Sequence, residues 1–230
     1  MTRTVLITGG TGALGKAVTR RFVEDGYRVA VTLRGAQEVE GLADLSDRVT
    51  GVEADVTDEG SVQAAVESVS GTLGPIEVLA HLVGGWKGGE PVHEQSLETW
   101  DRMLILNLRS AFLCCRAVLP AMRQGDWGRI ILVLARAARS GRSGQAGYAV
   151  AKAGVAVLAE TIAEENRESN VTANVVAPST IDTLANRNSI PGANPRVWVP
   201  PAELAASIAF LASEEAGQLR GAWLPVFGSA

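Results

Sequence analysis

Apolar positions follow two alternating rhythms along the chain. Apolar runs at residues 4–8, 29–33, 49–54, 78–83, 129–134, 171–176 and 222–227 carry no internal turn signal and suit strands buried on both faces. Between them, apolar residues recur at three- and four-residue spacing over 13–25, 61–69, 97–122 and 147–168, which predicts helices. Strand and helix alternate without an internal repeat. The pattern predicts a doubly wound α/β fold, a parallel sheet of about seven strands with helices on both faces. No Pro/Gly/Ser-rich linker interrupts the 230 residues, so residues 1–230 read as one domain.

Composition narrows the function classes. With 47% hydrophobic and 20% charged residues the chain can bury a large core. A net charge of −4 gives no basic surface for nucleic acid. No uninterrupted apolar run approaches the ~18 residues that span a bilayer, and "MTRTVLITGG" reads as a strand entering a glycine turn, not as a signal peptide. The expectation is a cytoplasmic protein with no membrane partner. Cys114 and Cys115 are adjacent in an apolar helical stretch and read as buried small hydrophobes, neither disulfide partners nor a metal pair. No metal site is expected.

The first strand runs into "TGGTGALG", Thr8 to Gly15, and a helix follows. Gly10, Gly12 and Gly15 satisfy G-x-G-x-x-G, while Thr8, Gly9, Ala13 and Gly15 fit T-G-x-x-x-[AG]-x-G. At a first strand-to-helix turn, either pattern lets the backbone approach a pyrophosphate at the helix N-terminus. Gly9, Thr11, Gly12, Leu14 and Gly15 are the candidate contacts. The second strand ends in Leu33-Arg34, where an NAD enzyme usually carries an acid for the ribose hydroxyls. Arg34 instead suits a 2′-phosphate and predicts NADPH over NADH; the alternative is a solvated surface arginine. After the third strand, Asp55 is placed to accept from an adenine amine while Val56 packs on the ring. Asp58 suits the cap of the next helix better than Asp55 does.

Tyr148 and Lys152 lie four residues apart in a helical segment, which stacks a phenol and an ammonium group on one face. Together with the glycine loop, this pair makes the chain resemble the short-chain dehydrogenase/reductase family over nearly its whole length. The resemblance implies that Tyr148 donates a proton and that Lys152 lowers the phenol's pKa and holds the nicotinamide ribose. Asn107 would support a water leading to the lysine. It also implies cofactor contacts at Val83, Gly84, Pro178, Ile181 and Thr183.

Two positions depart from the family pattern. His81-Leu82-Val83-Gly84 stands where N-N-A-G is common, and His81 reads as a packed strand residue. Ala135 stands where a catalytic serine is usual. In that respect the chain resembles the dihydropteridine reductase-like branch, as do "VGGWKGGE", "ARAA" and "PSTIDTLANRNSIPGA". That likeness makes Trp86, Ala135 and Arg136 candidate substrate residues and residues 184–199 a lid over the pocket. It implies hydride transfer to a conjugated imine, a quinonoid ring or a ketone. The alternatives are a 3-oxoacyl or polyketide-type ketone reductase and a low-turnover NADP-binding sensor or assembly protein. Helices apolar over more than one face, together with the resemblance, predict a homo-oligomer, a tetramer.

Overall fold

The computed structural model describes residues 2–35, 42–45 and 47–229. Seven strands form one sheet: β1 Thr4–Thr8, β2 Arg28–Leu33, β3 Val49–Glu53, β4 Ile76–His81, β5 Gly128–Val133, β6 Val171–Pro178 and β7 Trp223–Val226. Their order is β3-β2-β1-β4-β5-β6-β7, and every neighbouring pair is parallel. The helices are α1 Ala13–Glu24, α2 Glu59–Leu73, α3 Leu97–Leu104, α4 Ser110–Gln124, α5 Ala146–Glu165, α6 Leu184–Ser189 and α7 Pro201–Ala212.

Alternation along the strands explains the two-sided core. Leu6, Leu79, Ile130, Leu132 and Val175 point to one face, with Val66 of α2, Val118 of α4 and Val155 of α5 packed on them. Val5, Ile7, Val78, Ile131 and Val176 point to the other face, under Val18 and Phe22 of α1 and Leu204 and Ile208 of α7. Both faces are therefore dry, which is why the strands read as continuous apolar runs. Strand order reverses between β1 and β4, the topological switch point beside which ligands bind in such sheets.

Two sequence expectations need correction. The single helix expected over 97–122 is divided by a π turn at Ile105–Arg109, because the side chain of Asn107 folds back onto the loop after β4. The helices α6 and α7 were not anticipated; α6 is short and polar, and α7 is apolar almost all round. Leu97–Gln124 and Ala146–Glu165 are long and apolar enough to cross a bilayer by length and composition, since scattered charges break a run without lowering its average. In the fold 44% and 50% of their apolar windows are buried inside the protein, as befits core helices. Cys114 and Cys115 are buried in α4, as expected, and burial pushes the Cys114 thiol up to about 12.

Candidate active site

Beyond the carboxyl ends of β1 to β4 lies a cleft of about 620 Å³, lined by Gly9, Thr11, Gly12, Arg34, Asp55, Val56, Val83 and Gly84 among others. A Cβ added at Gly15 would stand 2.1 Å from the carbonyl oxygen of Gly9, so only glycine lets this turn close. Gly12 caps α1 without a side-chain hydrogen bond, and the first turn of α1 holds no acid. The helix therefore presents bare N–H groups to the cleft, a fit for a pyrophosphate. Asp55 Oδ1 accepts from the backbone N–H of Thr57 at 2.9 Å and from its hydroxyl at 2.7 Å. The bond from the Thr57 hydroxyl, above all, lowers the carboxyl's pKa and keeps it an acceptor. Asp58 caps α2 by accepting from Ser61 N at 2.8 Å.

Two catalytic candidates, Lys152 and Asn107, lie directly behind Gly84 in the wall of this cleft. Lys152 on α5 is buried, and its Nζ donates to the carbonyl oxygen of Val133 at 2.9 Å. Burial lowers its pKa to about 8. Asn107 Oδ1 accepts from Gly85 N at 3.1 Å, while its Nδ2 donates to Gly85 O and Met103 O, each at 3.0 Å. A Cβ at Gly84 would stand 2.8 Å from Asn107 Oδ1 and 2.9 Å from Lys152 Nζ. The cleft thus reaches both residues across one glycine. Lys152 Nζ lies 6.0 Å from the centroid of the Tyr148 ring. The lowered phenol pKa implied by the resemblance does not arise in the chain alone. Burial pushes Tyr148 up to about 12, and no ammonium contact offsets it at that distance.

A second pocket, of about 650 Å³, opens beside Tyr148. Trp86, Leu134, Pro178, Ile181 and Ile190 form apolar wall, and Ala135, Arg136, Arg142, Gln145, Ser179 and Thr180 also line it. All three substrate candidates, Trp86, Ala135 and Arg136, are here, and Trp86 is 57% exposed. Pro178 and Ile181 line this pocket, not the main cleft. Thr183 lines neither; its hydroxyl caps α6 by accepting from Asn186 N at 3.1 Å. Leu14 and Gly15 belong to the turn but are absent from the cleft wall. The segment 184–199 contributes Asn186, Ser189 and Ile190 to the pocket, and a parallel bridge between Ile181 and Val199 ties its base. Arg187 in that segment pairs with Asp182 at 2.6 Å.

Sequence reasoning passed over Lys16 and Thr32 in the cleft and Arg142, Gln145, Ser179 and Thr180 in the pocket. Of these, Lys16 and Gln145 had a signal, one directly after the glycine loop and the other three residues before Tyr148. No group of three or more His, Cys, Asp or Glu among the described residues can hold a metal. When bound, a nicotinamide cofactor supplies hydride. This chain's own residues would hold it in the cleft, with Lys152 and Asn107 behind Gly84 and Tyr148 in the neighbouring pocket.

A dinucleotide cleft at the switch point, meeting a buried lysine one helical turn from a tyrosine, defines a nicotinamide-dependent oxidoreductase. The short chain dehydrogenase family profile matches residues 3–193, and the chain belongs to that family. The 3-oxoacyl-[acyl-carrier-protein] reductase MabA of Mycobacterium tuberculosis is 36% identical over 99% of this chain and 92% of its own length. The acetoacetyl-CoA reductase of Paracoccus denitrificans is 29% identical over 96% and 95%. The crystal structure of gox2181 superposes with a TM-score of 0.90 at 28% identity, covering 99% of this chain and 95% of that one.

Proposed function

We propose that the protein is an NADPH-dependent ketone reductase acting on a 3-oxoacyl-type substrate, with Tyr148 as the proton donor. The observation that carries this reading is the junction at Gly84, where the cofactor cleft reaches Lys152 and Asn107 one helical turn from the pocket containing Tyr148. Apolar walls at Trp86, Leu134 and Ile190 suit an acyl chain. The relatives named for reduction of 3-oxoacyl and acetoacetyl groups support a ketone over the imine or quinonoid substrate that Ala135 first suggested. A binding protein without turnover has no need of Tyr148, so the sensor reading is set aside. NADPH is favoured over NADH because two cations line the cleft, Arg34 directly after β2 and Lys16 on α1.

We read the protein as a cytoplasmic homo-oligomer, a tetramer. A shallow groove lined by Leu104, Ile105, Leu108, Phe112 and Leu158 supports this, with Ile105 and Phe112 39% and 45% exposed. The deciding assay follows NADPH oxidation with acetoacetyl-CoA, quinonoid dihydropterin and a cyclic imine. Acetoacetyl-CoA is expected to be reduced fastest, and Tyr148→Phe to slow it about 10²–10⁴-fold. Faster turnover of dihydropterin than of acetoacetyl-CoA would refute the reading.

A further inference from the structure

A ketone oxygen that becomes an alkoxide is best met by two donors, and Ala135 removes the second one this family commonly provides. The pocket offers several polar side chains, and most are committed elsewhere. Ser179 Oγ donates to Phe227 O at 2.7 Å, Asn186 Nδ2 to Ile181 O at 2.8 Å, and Ser189 Oγ to Asn186 O at 3.2 Å. The guanidinium of Arg136 stacks 5.1 Å from the Phe227 ring.

Gln145 differs. It caps the start of α5, one turn before Tyr148, and lines the same pocket. Its Oε1 is buried and has no hydrogen-bond partner. An unpaired buried amide oxygen is a cost that a folded protein normally avoids, so its persistence at a ligand wall calls for a ligand or a water. The amide nitrogen Nε2 is not among the buried unpartnered atoms and donates to nothing among the described residues, so the end of the amide that carries two donors is the accessible one.

We infer that Gln145 is a catalytic residue, whose side-chain amide donates to the substrate's carbonyl oxygen and takes the place left vacant at Ala135. Hydride adds to the carbonyl carbon, the C=O π pair moves to oxygen, and Tyr148 delivers the proton there. Gln145 keeps its own protons and stabilises the oxygen as its charge grows. This inference deepens the ketone-reductase reading and rests on it.

The test uses the full chain with NADPH and acetoacetyl-CoA. Gln145→Ala and Gln145→Met, the second keeping side-chain volume, are expected to lower kcat/KM about 10²-fold, as for removal of one oxyanion donor. NADPH affinity should be unchanged, and reduction of a cyclic imine should fall far less. Ala135→Ser added to Gln145→Met should recover most of the loss. Full activity in Gln145→Met, or a loss that Ala135→Ser does not relieve, would overturn the inference while leaving the ketone reading in place. If the unaltered chain does not oxidise NADPH with acetoacetyl-CoA, the ketone reading fails and the inference with it.

Discussion

The hydroxyl of Thr8 lies 2.9 Å from Nδ1 of His81, joining the end of the strand that carries the glycine loop to the end of β4. The direction of this bond is fixed by its neighbours. Ser110 Oγ stands 3.2 Å from His81 Nε2 and spends its own proton on Leu106 O at 2.6 Å, so Nε2 carries the imidazole proton and Nδ1 accepts from Thr8. The chain of bonds ends in the π turn that contains Asn107. His81 thus braces the cofactor loop against the helix break.

His81 is therefore expected to be a neutral, Nε2-protonated imidazole, checked by nitrogen NMR. Burial, helped by the nearby Lys152 charge, lowers its pKa from 6.5 to about 3. Between those values the unfolded chain binds more protons than the folded one, so stability falls as pH drops below about 6.5. His81→Phe leaves two buried hydroxyls short of a partner and should cost about 1–3 kcal/mol at pH 7. That deficit should shrink on acidification, as seen in urea titrations at several pH values. A constant deficit would refute the assignment.

Lys152 gives a slope of the same sense in a higher pH window. Its pKa of about 8 in the folded chain, against 10.5 ordinarily, means that the unfolded state holds the proton more tightly between those values. Stability should rise with pH across that window, relative to Lys152→Met, by on the order of 1–3 kcal/mol in total. Tyr148, raised from 10.0 to about 12, acts against this only above pH 10. Parallel denaturation of the two proteins without cofactor measures the difference; a flat one would mean that Lys152 is solvated.

Arg34→Ala tests the cofactor choice. A charge-assisted pair to a 2′-phosphate contributes about 1.5–3 kcal/mol, or roughly ten- to a hundredfold in affinity. The variant should lose most of its preference for NADPH and bind NADH nearly as before, by calorimetric titration. Equal affinities in the unaltered protein would remove Arg34 from this role.

Gly15→Ala probes the loop itself. A Cβ placed 2.1 Å from Gly9 O forces the backbone apart, since no flexible side chain is there to yield. A loss of about 1–3 kcal/mol is expected, with cofactor binding reduced further because the turn no longer closes. Thermal denaturation with and without NADPH separates the two effects.

The amino-acid sequence alone determined the architecture. Seven buried runs with helices between them can be satisfied only by a parallel sheet covered on both sides, and "TGGTGALG" at the first turn marks where a dinucleotide fits. The pairing of Tyr148 with Lys152 was legible too, because a four-residue spacing on a helix is local geometry. What the sequence could not decide depended on distant partners. The apolar period runs unbroken from Leu97 to Met122, so nothing local announces the π turn; it exists because Asn107 finds the backbone of Gly85, 22 positions away. His81 was legible as a packed residue, but its tautomer is set by Thr8 and Ser110, on other elements. For Gln145 the only local signal was its place three residues before Tyr148; the fold decided that it lines the same pocket as Ala135 and that Oε1 is unpaired. Periodicity records which face a residue buries, whereas the partner of a polar atom is chosen by what the fold brings opposite it.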